Sequence, residues 1–112
     1  MAQDFERYGD QDVGTSAATI HTSNSDDAII SVRLANTTTS TISASVFITS
    51  SVTGGSQDHY LIKNAPIIDG QALQVIDGGA KYVVKSGDVL KVVSDTASSC
   101  DVIVSVVDAI SE

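Results

Sequence analysis

The sequence AKYVVKSGDVLKVVSDTASSCDVIVSVVDAI, residues Ala80–Ile110, decides the fold class. It contains three valine-rich runs of strand length, separated by clusters of Gly, Asp and Ser, and it shows no helical period. We therefore predict three consecutive β-strands, joined by the turn Ser86-Gly87-Asp88 and the polar loop Asp95–Ser99. The predicted strands are about Lys81–Lys85, Val89–Ser94 and Cys100–Ala109.

Alternation along these three strands gives each of them two apolar faces. One face carries Tyr82, Val84, Leu90, Val92, Val102, Val104 and Val106. The opposite face carries Val83, Val89, Val93, Ile103 and Val107. A sheet that is apolar on both sides needs cover on both sides. We expect a second sheet on one side, and loops or another subunit on the other.

Five more strands are predicted upstream, with turns at Asp69-Gly70 and Asp77-Gly78-Gly79. They are about Gly14–Thr22, Ala28–Ala35, Thr41–Val52, Asp58–Asn64 and Ala72–Ile76. Pro66 cannot donate to a ladder, so it marks a strand end or an edge. About eight short strands predict an all-β fold, an antiparallel β-sandwich, and a jelly roll and an immunoglobulin-like sandwich both fit this number.

The same alternation predicts inward and outward side chains in the upstream strands. We expect Ile20 to face inward and His21 outward. We expect Ile30 to share one face with Ala28, Val32 and Leu34, and Ile29 to lie on the opposite face. Ile42, Ala44, Val46 and Ile48 are expected inward, against a solvated face of Ser43, Ser45, Phe47 and Thr49.

The composition suits one domain of 112 residues with an aliphatic core, because aromatic residues make up 4% and Trp is absent. A net charge of −8 with only six Lys and Arg argues against nucleic-acid binding through phosphates. Residues 1–12 (MAQDFERYGDQD) are charged and lack a strand period, so we predict an N-terminal arm before a β-sandwich domain at residues 13–112. The start has no apolar signal-peptide segment, and no run reaches the roughly 20 apolar residues of a membrane span. We expect a soluble protein made in a cytoplasm, with no membrane partner.

The residue types of catalytic and metal sites are present without the spacing that such sites need. His21 and His59 are far apart and Cys100 lies in an apolar strand, where we expect a buried small hydrophobe. No GxSxG motif accompanies the serines, and we expect Asp88 to accept hydrogen bonds from turn amides. We predict no catalytic, metal-binding or cofactor-binding residues, and no enzyme.

Association is the property that the apolar surfaces favour. Phe5 and Tyr8 of the arm are expected either to fold back over the domain's own sheet or to dock on a neighbouring subunit. The candidate oligomer interface consists of Phe5, Tyr8, Val83, Val89, Val93, Ile103 and Val107.

Three runs of the chain resemble small virion proteins of tailed bacteriophages, particularly those of marine cyanophages. They are DAIISVRLANTTTSTISASVFI (Asp27–Ile48), YLIKNAPI (Tyr60–Ile67) and KYVVKSGDVLKVVSDTASSCDVIVSVVDAI (Lys81–Ile110). The resemblance covers roughly Val13–Ile110 and implies a non-catalytic β-sandwich component of the capsid, neck or tail. Cys100 departs from the pattern, since an aliphatic residue or Ser is expected there.

The sequence thus predicts a virion structural protein that self-associates or docks on other virion proteins. The alternative is a glycan-binding or receptor-binding β-module of a phage fibre or surface appendage. A small β-fold enzyme of the cupin type is a further rival, suggested only by the Gly87-Asp88 turn between strands.

Overall fold

The computed structural model describes residues 4–50 and 57–108, with side chains for residues 5–50, 58–75 and 82–107. These residues form eight β-strands in two antiparallel sheets, which confirms the predicted all-β sandwich. The strands are β1 (Asp4–Val13), β2 (Ala18–Thr22), β3 (Asp27–Asn36), β4 (Ile42–Ser50), β5 (Gln57–Ile67), β6 (Ala72–Val84), β7 (Val89–Ser94) and β8 (Cys100–Asp108). The described residues contain no helix long and apolar enough to cross a membrane.

Each strand of the first half of the chain pairs with a strand of the second half. β1 pairs with β8, β2 with β7, β3 with β6 and β4 with β5. Successive pairs alternate between the sheets, so the first sheet has the order β1-β8-β3-β6 and the second has the order β2-β7-β4-β5. A long hairpin wrapped around a core in this way is a jelly roll, and the order excludes the immunoglobulin-like alternative.

The core is a single aliphatic cluster between the two sheets. Its fully covered members include Ile29, Val32, Leu34 and Val104 from the first sheet and Ala44, Val46 and Val92 from the second. Each large aliphatic side chain contributes about 1.5–3 kcal/mol by leaving water. β-branched side chains suit this layer because they are stiff and pack well on a pleated surface.

A β-bulge in β3 changes which side chains face the core. Ile29 lies opposite Val106 and Ser31 lies opposite Ser105, so Ile30 is an extra residue that shifts the alternation by one. Ile29 is therefore buried and Ile30 is half-buried. The prediction for these two side chains was wrong, because periodicity alone does not reveal a bulge.

A second irregularity, between Thr19 and His21 in β2, turns the histidine inward. His21 lies opposite Leu90 and is only 7% exposed. The predicted outward orientation of His21 was wrong for the same reason.

Two segments predicted to be irregular lie within strands. Residues 4–12, predicted as an arm, belong with Val13 to β1, the edge strand that pairs with β8. Asp77-Gly78-Gly79, predicted as a turn, lies inside β6, and the β3–β6 register shifts between the partners of Ile29 and Ser31. Pairing with β8 satisfies the backbone of residues 4–10, which local composition does not reveal, whereas in the second segment only Asp77 has a partner in β3, opposite Ser31.

Two neighbouring positions of β8 test the inward and outward assignment. Val104 is fully buried, whereas Ile103 is 53% exposed. We expect Val104→Asp to lower the free energy of unfolding by at least about 4 kcal/mol, since it places an unpaired charge in the core. Ile103→Asp should cost about 1 kcal/mol or less. Urea denaturation of both variants measures the difference, and equal losses would contradict the assignment.

Candidate association surface

A row of apolar residues crosses all four strands of the first sheet on its outer face. Phe5 of β1 lies opposite Val107 of β8, Val107 lies opposite Ala28 of β3, and Ala28 lies opposite Val83 of β6. These four residues are the apolar row. Phe5 is 80% exposed and Val83 is 57% exposed. The two ends of the row therefore present large apolar side chains to solvent.

The remainder of this outer face is mainly polar. Ile103 lies opposite Arg33, and Arg33 lies opposite Gln74. Gln74 Nε2 donates to Ser31 Oγ over 3.0 Å, so polar side chains meet between strands β3 and β6. Ile103 is consequently an isolated apolar side chain, and the apolar row is the continuous apolar feature of this face.

The outer face of the second sheet is covered by the chain's own side chains. Phe47 is 6% exposed and its ring centroid lies 5.0 Å from that of Tyr60. Lys63 Nζ lies 4.9 Å from the Tyr60 ring centroid, and Lys91 lies opposite Phe47. The predicted solvated face of β4 is therefore partly buried, because long lysine stems and a tyrosine cover it.

The structure divides the seven predicted interface residues among three locations. The outer face of the first sheet carries Phe5, Val83, Ile103 and Val107. The outer face of the second sheet carries Val89 and Val93, and Tyr8 faces inward. β7 and β8 follow each other in sequence but lie in different sheets, so their outer faces point to opposite sides of the sandwich. The seven residues do not form one patch. Whether any of them lies at an interface stays a prediction.

A buried polar cluster that periodicity did not reveal lies where β2 turns into β3. Asp27 is fully buried, and its Oδ2 lies 3.1 Å from His21 Nε2 and accepts a hydrogen bond of 2.8 Å from Ser23 Oγ. Ser25 Oγ donates to Asp27 Oδ1 over 2.8 Å. The ring centroid of Tyr8 lies 4.4 Å from that of His21. This cluster therefore ties β1, β2 and β3 together.

The arrangement of these groups is structural and lacks the geometry of a catalytic triad. A serine nucleophile needs a hydrogen bond to the histidine that acts as its base. Here Ser23 and His21 both contact the same carboxylate oxygen, and the described residues show no hydrogen bond between the two. The signal in the sequence was the polar run Ser23–Asp27, which is typical of a turn because its side chains satisfy local backbone groups.

The turn between β6 and β7 is held against this cluster. Lys85 N donates to Asp88 Oδ2 over 2.9 Å, so the prediction for Asp88 is confirmed. Ser23 N donates to the carbonyl of Asp88, and Gly87 N donates to the carbonyl of Ser23, each over 2.8 Å. Gly87 has a φ of 93°, which glycine adopts without steric cost.

Cys100 is fully buried at the start of β8, as predicted. Burial disfavours the thiolate and raises the pKa of Cys100 to about 11. The pKa of Asp95 is shifted in the opposite direction. The amide of Ser43 and the hydroxyl of Thr96 donate hydrogen bonds to the exposed Asp95 carboxylate and lower its pKa. The described residues contain no group of three or more His, Cys, Asp or Glu placed to hold a metal ion.

No protein-family model and no curated protein matches the chain. Among solved structures, the chain is similar to a protein in the structure of Bacillus endospore appendages, described as a novel family of disulfide-linked pili, with a TM-score of 0.55 and 16% identity. That match covers 95% of this chain and 84% of the other. A chain of infectious bursal disease virus, strain Gx, matches with a TM-score of 0.49 and 14% identity, over 97% of this chain and 32% of the viral one. Identity this low shows the fold alone.

Two neighbouring aspartates test the buried polar cluster. We expect Asp27→Ala to lower the free energy of unfolding by about 2–4 kcal/mol, because it removes the buried carboxylate that His21, Ser23 and Ser25 all contact. Asp26→Ala is the control, since Asp26 pairs with Lys85 over 3.4 Å at the surface and should cost about 1 kcal/mol or less. Urea denaturation at neutral pH measures both, and similar losses would show that the cluster does not stabilise the fold.

The pH dependence of stability tests the environment of Cys100. Its pKa rises from 9.0 to about 11 in the folded state, so the unfolded chain loses the thiol proton first as pH increases. We expect the free energy of unfolding to fall by up to roughly 2–3 kcal/mol between pH 9 and 11. In the Cys100→Ala variant, this part of the fall in the free energy of unfolding should be absent. Denaturation of both proteins at pH 8 and 11 gives the comparison, and identical pH profiles would contradict a buried thiol.

Proposed function

We propose that this protein is a non-catalytic structural subunit that works by packing against copies of itself or against a larger assembly. The observation that carries the proposal is the apolar row on the outer face of the first sheet, whose end residues Phe5 and Val83 are exposed. On the outer face of the second sheet Phe47 is buried beside Tyr60, and the partly exposed Tyr60 ring has Lys63 Nζ 4.9 Å from its centroid, so the apolar surface there is interrupted by a charge. Within the row Ala28 is only 5% exposed and Val107 is half-buried, so the exposed apolar surface lies at its two ends, and large exposed apolar side chains on an otherwise polar face are typical of an interaction site.

The comparison with the pilus protein supports an assembling role without assigning it. That protein has the same fold over most of both chains and belongs to appendages described as pili. Fold does not determine function, so its role enters here as support only. Those pili are described as disulfide-linked, whereas the single cysteine of this chain, Cys100, is buried. The assembly that we propose is therefore held by non-covalent contacts.

We place the assembly in the virion of a tailed bacteriophage, as a capsid, neck or tail component. The support is the resemblance of Asp27–Ile48, Tyr60–Ile67 and Lys81–Ile110 to such virion proteins. An acidic chain with a net charge of −8 suits a component that avoids direct contact with the packaged nucleic acid.

The alternative role is glycan or receptor binding, and Tyr60 is the feature that favours it. Its ring is 45% exposed on the second sheet and lies beside Lys63. Sugars stack on exposed aromatic rings, but one tyrosine with a lysine beside it is a small platform. Glycan-array binding that is lost in Tyr60→Ala would favour this alternative over assembly.

Mass in solution tests the proposal of self-association. We expect the average mass of the purified protein to exceed one chain and to rise with concentration in light scattering. Val107→Asp should weaken association by about tenfold or more, because it places a charge in the middle of the apolar row.

Val93→Asp is the matched control, since Val93 is also a half-buried valine on an outer face, that of the second sheet. It should leave association unchanged. A wild-type protein that stays monomeric throughout the concentration series would overturn self-association. Equal effects of the two substitutions on association would show that self-association uses a surface other than the apolar row.

A further inference from the structure

The first sheet has two long edge strands that run in compatible directions. β1 has ten residues and β6 has thirteen, and within the described residues they are the two outer strands of the sheet. Neighbouring strands are antiparallel throughout, and the sheet has four strands, so β1 and β6 run in opposite directions. If two copies lie side by side in the same orientation, β6 of one copy meets β1 of the next as an antiparallel pair.

The edges of the second sheet are less suited to pairing. β2 has only five residues, and its register is interrupted between Thr19 and His21. β5 contains Pro66, which lacks an amide hydrogen, and Asn64, whose φ is 52° where the β4–β5 register shifts. Short strands, bulges and proline are the features that prevent edge pairing. Register shifts also occur in the first sheet, between Asp10 and Val13 of β1 and between Asp77 and Tyr82 of β6, but residues 4–10 of β1 and 82–84 of β6 pair regularly with their neighbours next to the ends of the apolar row.

The apolar row ends at both of these edges. Phe5 lies on β1 and Val83 lies on β6, and both are on the outer face. Placing β6 beside β1 of another copy brings these two exposed side chains into the same row and continues the apolar row from one copy to the next.

The two edges also differ in charge. β1 carries Asp4, Glu6, Asp10 and Asp12 against a single cation, Arg7. The other edge ends in the segment Lys81–Lys85 (KYVVK), which has two lysines and no carboxylate. Lys85 is 58% exposed at its side chain even though it pairs with Asp26. The net charges of the two edges therefore differ, because β1 is acidic whereas β6 carries one carboxylate, Asp77, and one lysine, Lys81, and is followed by Lys85.

We infer that copies of this chain associate head to tail, with β6 of one copy adding to β1 of the next and extending the first sheet. This inference rests on the proposed self-association and names the surface responsible. Main-chain hydrogen bonds between the edges supply affinity, and the Phe5–Val83 contact selects the register. A heterologous contact of this kind leaves one free edge at each end, so it produces rings or open filaments and not closed dimers.

A charge swap across the proposed contact tests the inference. Phe5→Lys and Val83→Glu each replace one half of the apolar Phe5–Val83 contact with a charge that has an apolar side chain opposite it, so each single variant should lower the association constant by about tenfold or more. The double variant F5K/V83E should recover most of that loss, because the introduced lysine on β1 of one copy then meets the introduced glutamate on β6 of the next. Within one chain these positions lie on opposite edges, separated by β8 and β3, so they cannot pair with each other.

Ile103→Glu is the control, since Ile103 is similarly exposed on the same outer face but lies on an interior strand. It should leave association unchanged in sedimentation velocity. Circular dichroism and thermal melting check that each variant is folded. If a charged variant does not fold, Phe5→Thr or Val83→Thr at the same position takes its place.

The outcomes separate the inference from the proposed function. Assembly of the wild-type protein without recovery in the double variant, or assembly that stops at two chains, overturns the head-to-tail edge contact and leaves self-association in place. A wild-type protein that remains a single chain at every concentration overturns both. Recovery in the double variant, together with wild-type species larger than two chains, supports the edge contact.

Discussion

Antiparallel pairing between the two halves of the chain brings two valine-rich sheets face to face, and the aliphatic layer between them stabilises the rest of the molecule. Val32 and Val104 of the first sheet and Val46 and Val92 of the second are all fully covered. Neither sheet could bury these side chains alone, because each would leave its inner face in water. The buried members of this layer among the described residues are aliphatic apart from Cys100, with Tyr8 packed against them, so its stability depends on close packing of small branched side chains.

The same pairing determines which surfaces are left over. Because β6 and β8 lie in the first sheet and β7 between them in sequence lies in the second, apolar positions that follow one another in this part of the chain reach opposite sides of the sandwich. Val83 and Val107 lie on one outer face, whereas Val89 and Val93 lie on the other, which also carries Tyr60 and lysine side chains. The candidate association surface is thus a product of topology. This surface contains fewer residues than the predicted interface, and it reaches both edges of the first sheet.

The polar groups inside the sandwich are hydrogen-bonded, and they lie at the ends of strands. Asp27 accepts hydrogen bonds beside His21 where β2 turns into β3. At the opposite end, the hydroxyls of Ser94 and Ser99 lie 2.6 Å apart, and Ser99 N donates to the carbonyl of Val13. The described residues show no buried side-chain nitrogen or oxygen atom without a partner. These networks close the ends of the aliphatic layer and connect the edge strand β1 to the domain.

The fold class, most strand positions, the aliphatic core, the turn at Asp88 and the burial of Cys100 could be predicted from the sequence, because these features depend on local period and residue type. Only the tertiary structure decided the jelly-roll order, the inclusion of β1 and of Asp77-Gly78-Gly79 in strands, and the inward orientation of His21. Strand order and bulges arise from pairing between residues far apart in the chain, and a one-residue shift in register reverses every side chain that follows. The candidate association surface lies in both categories: its apolar residues were visible in the sequence, but their grouping required the sheets.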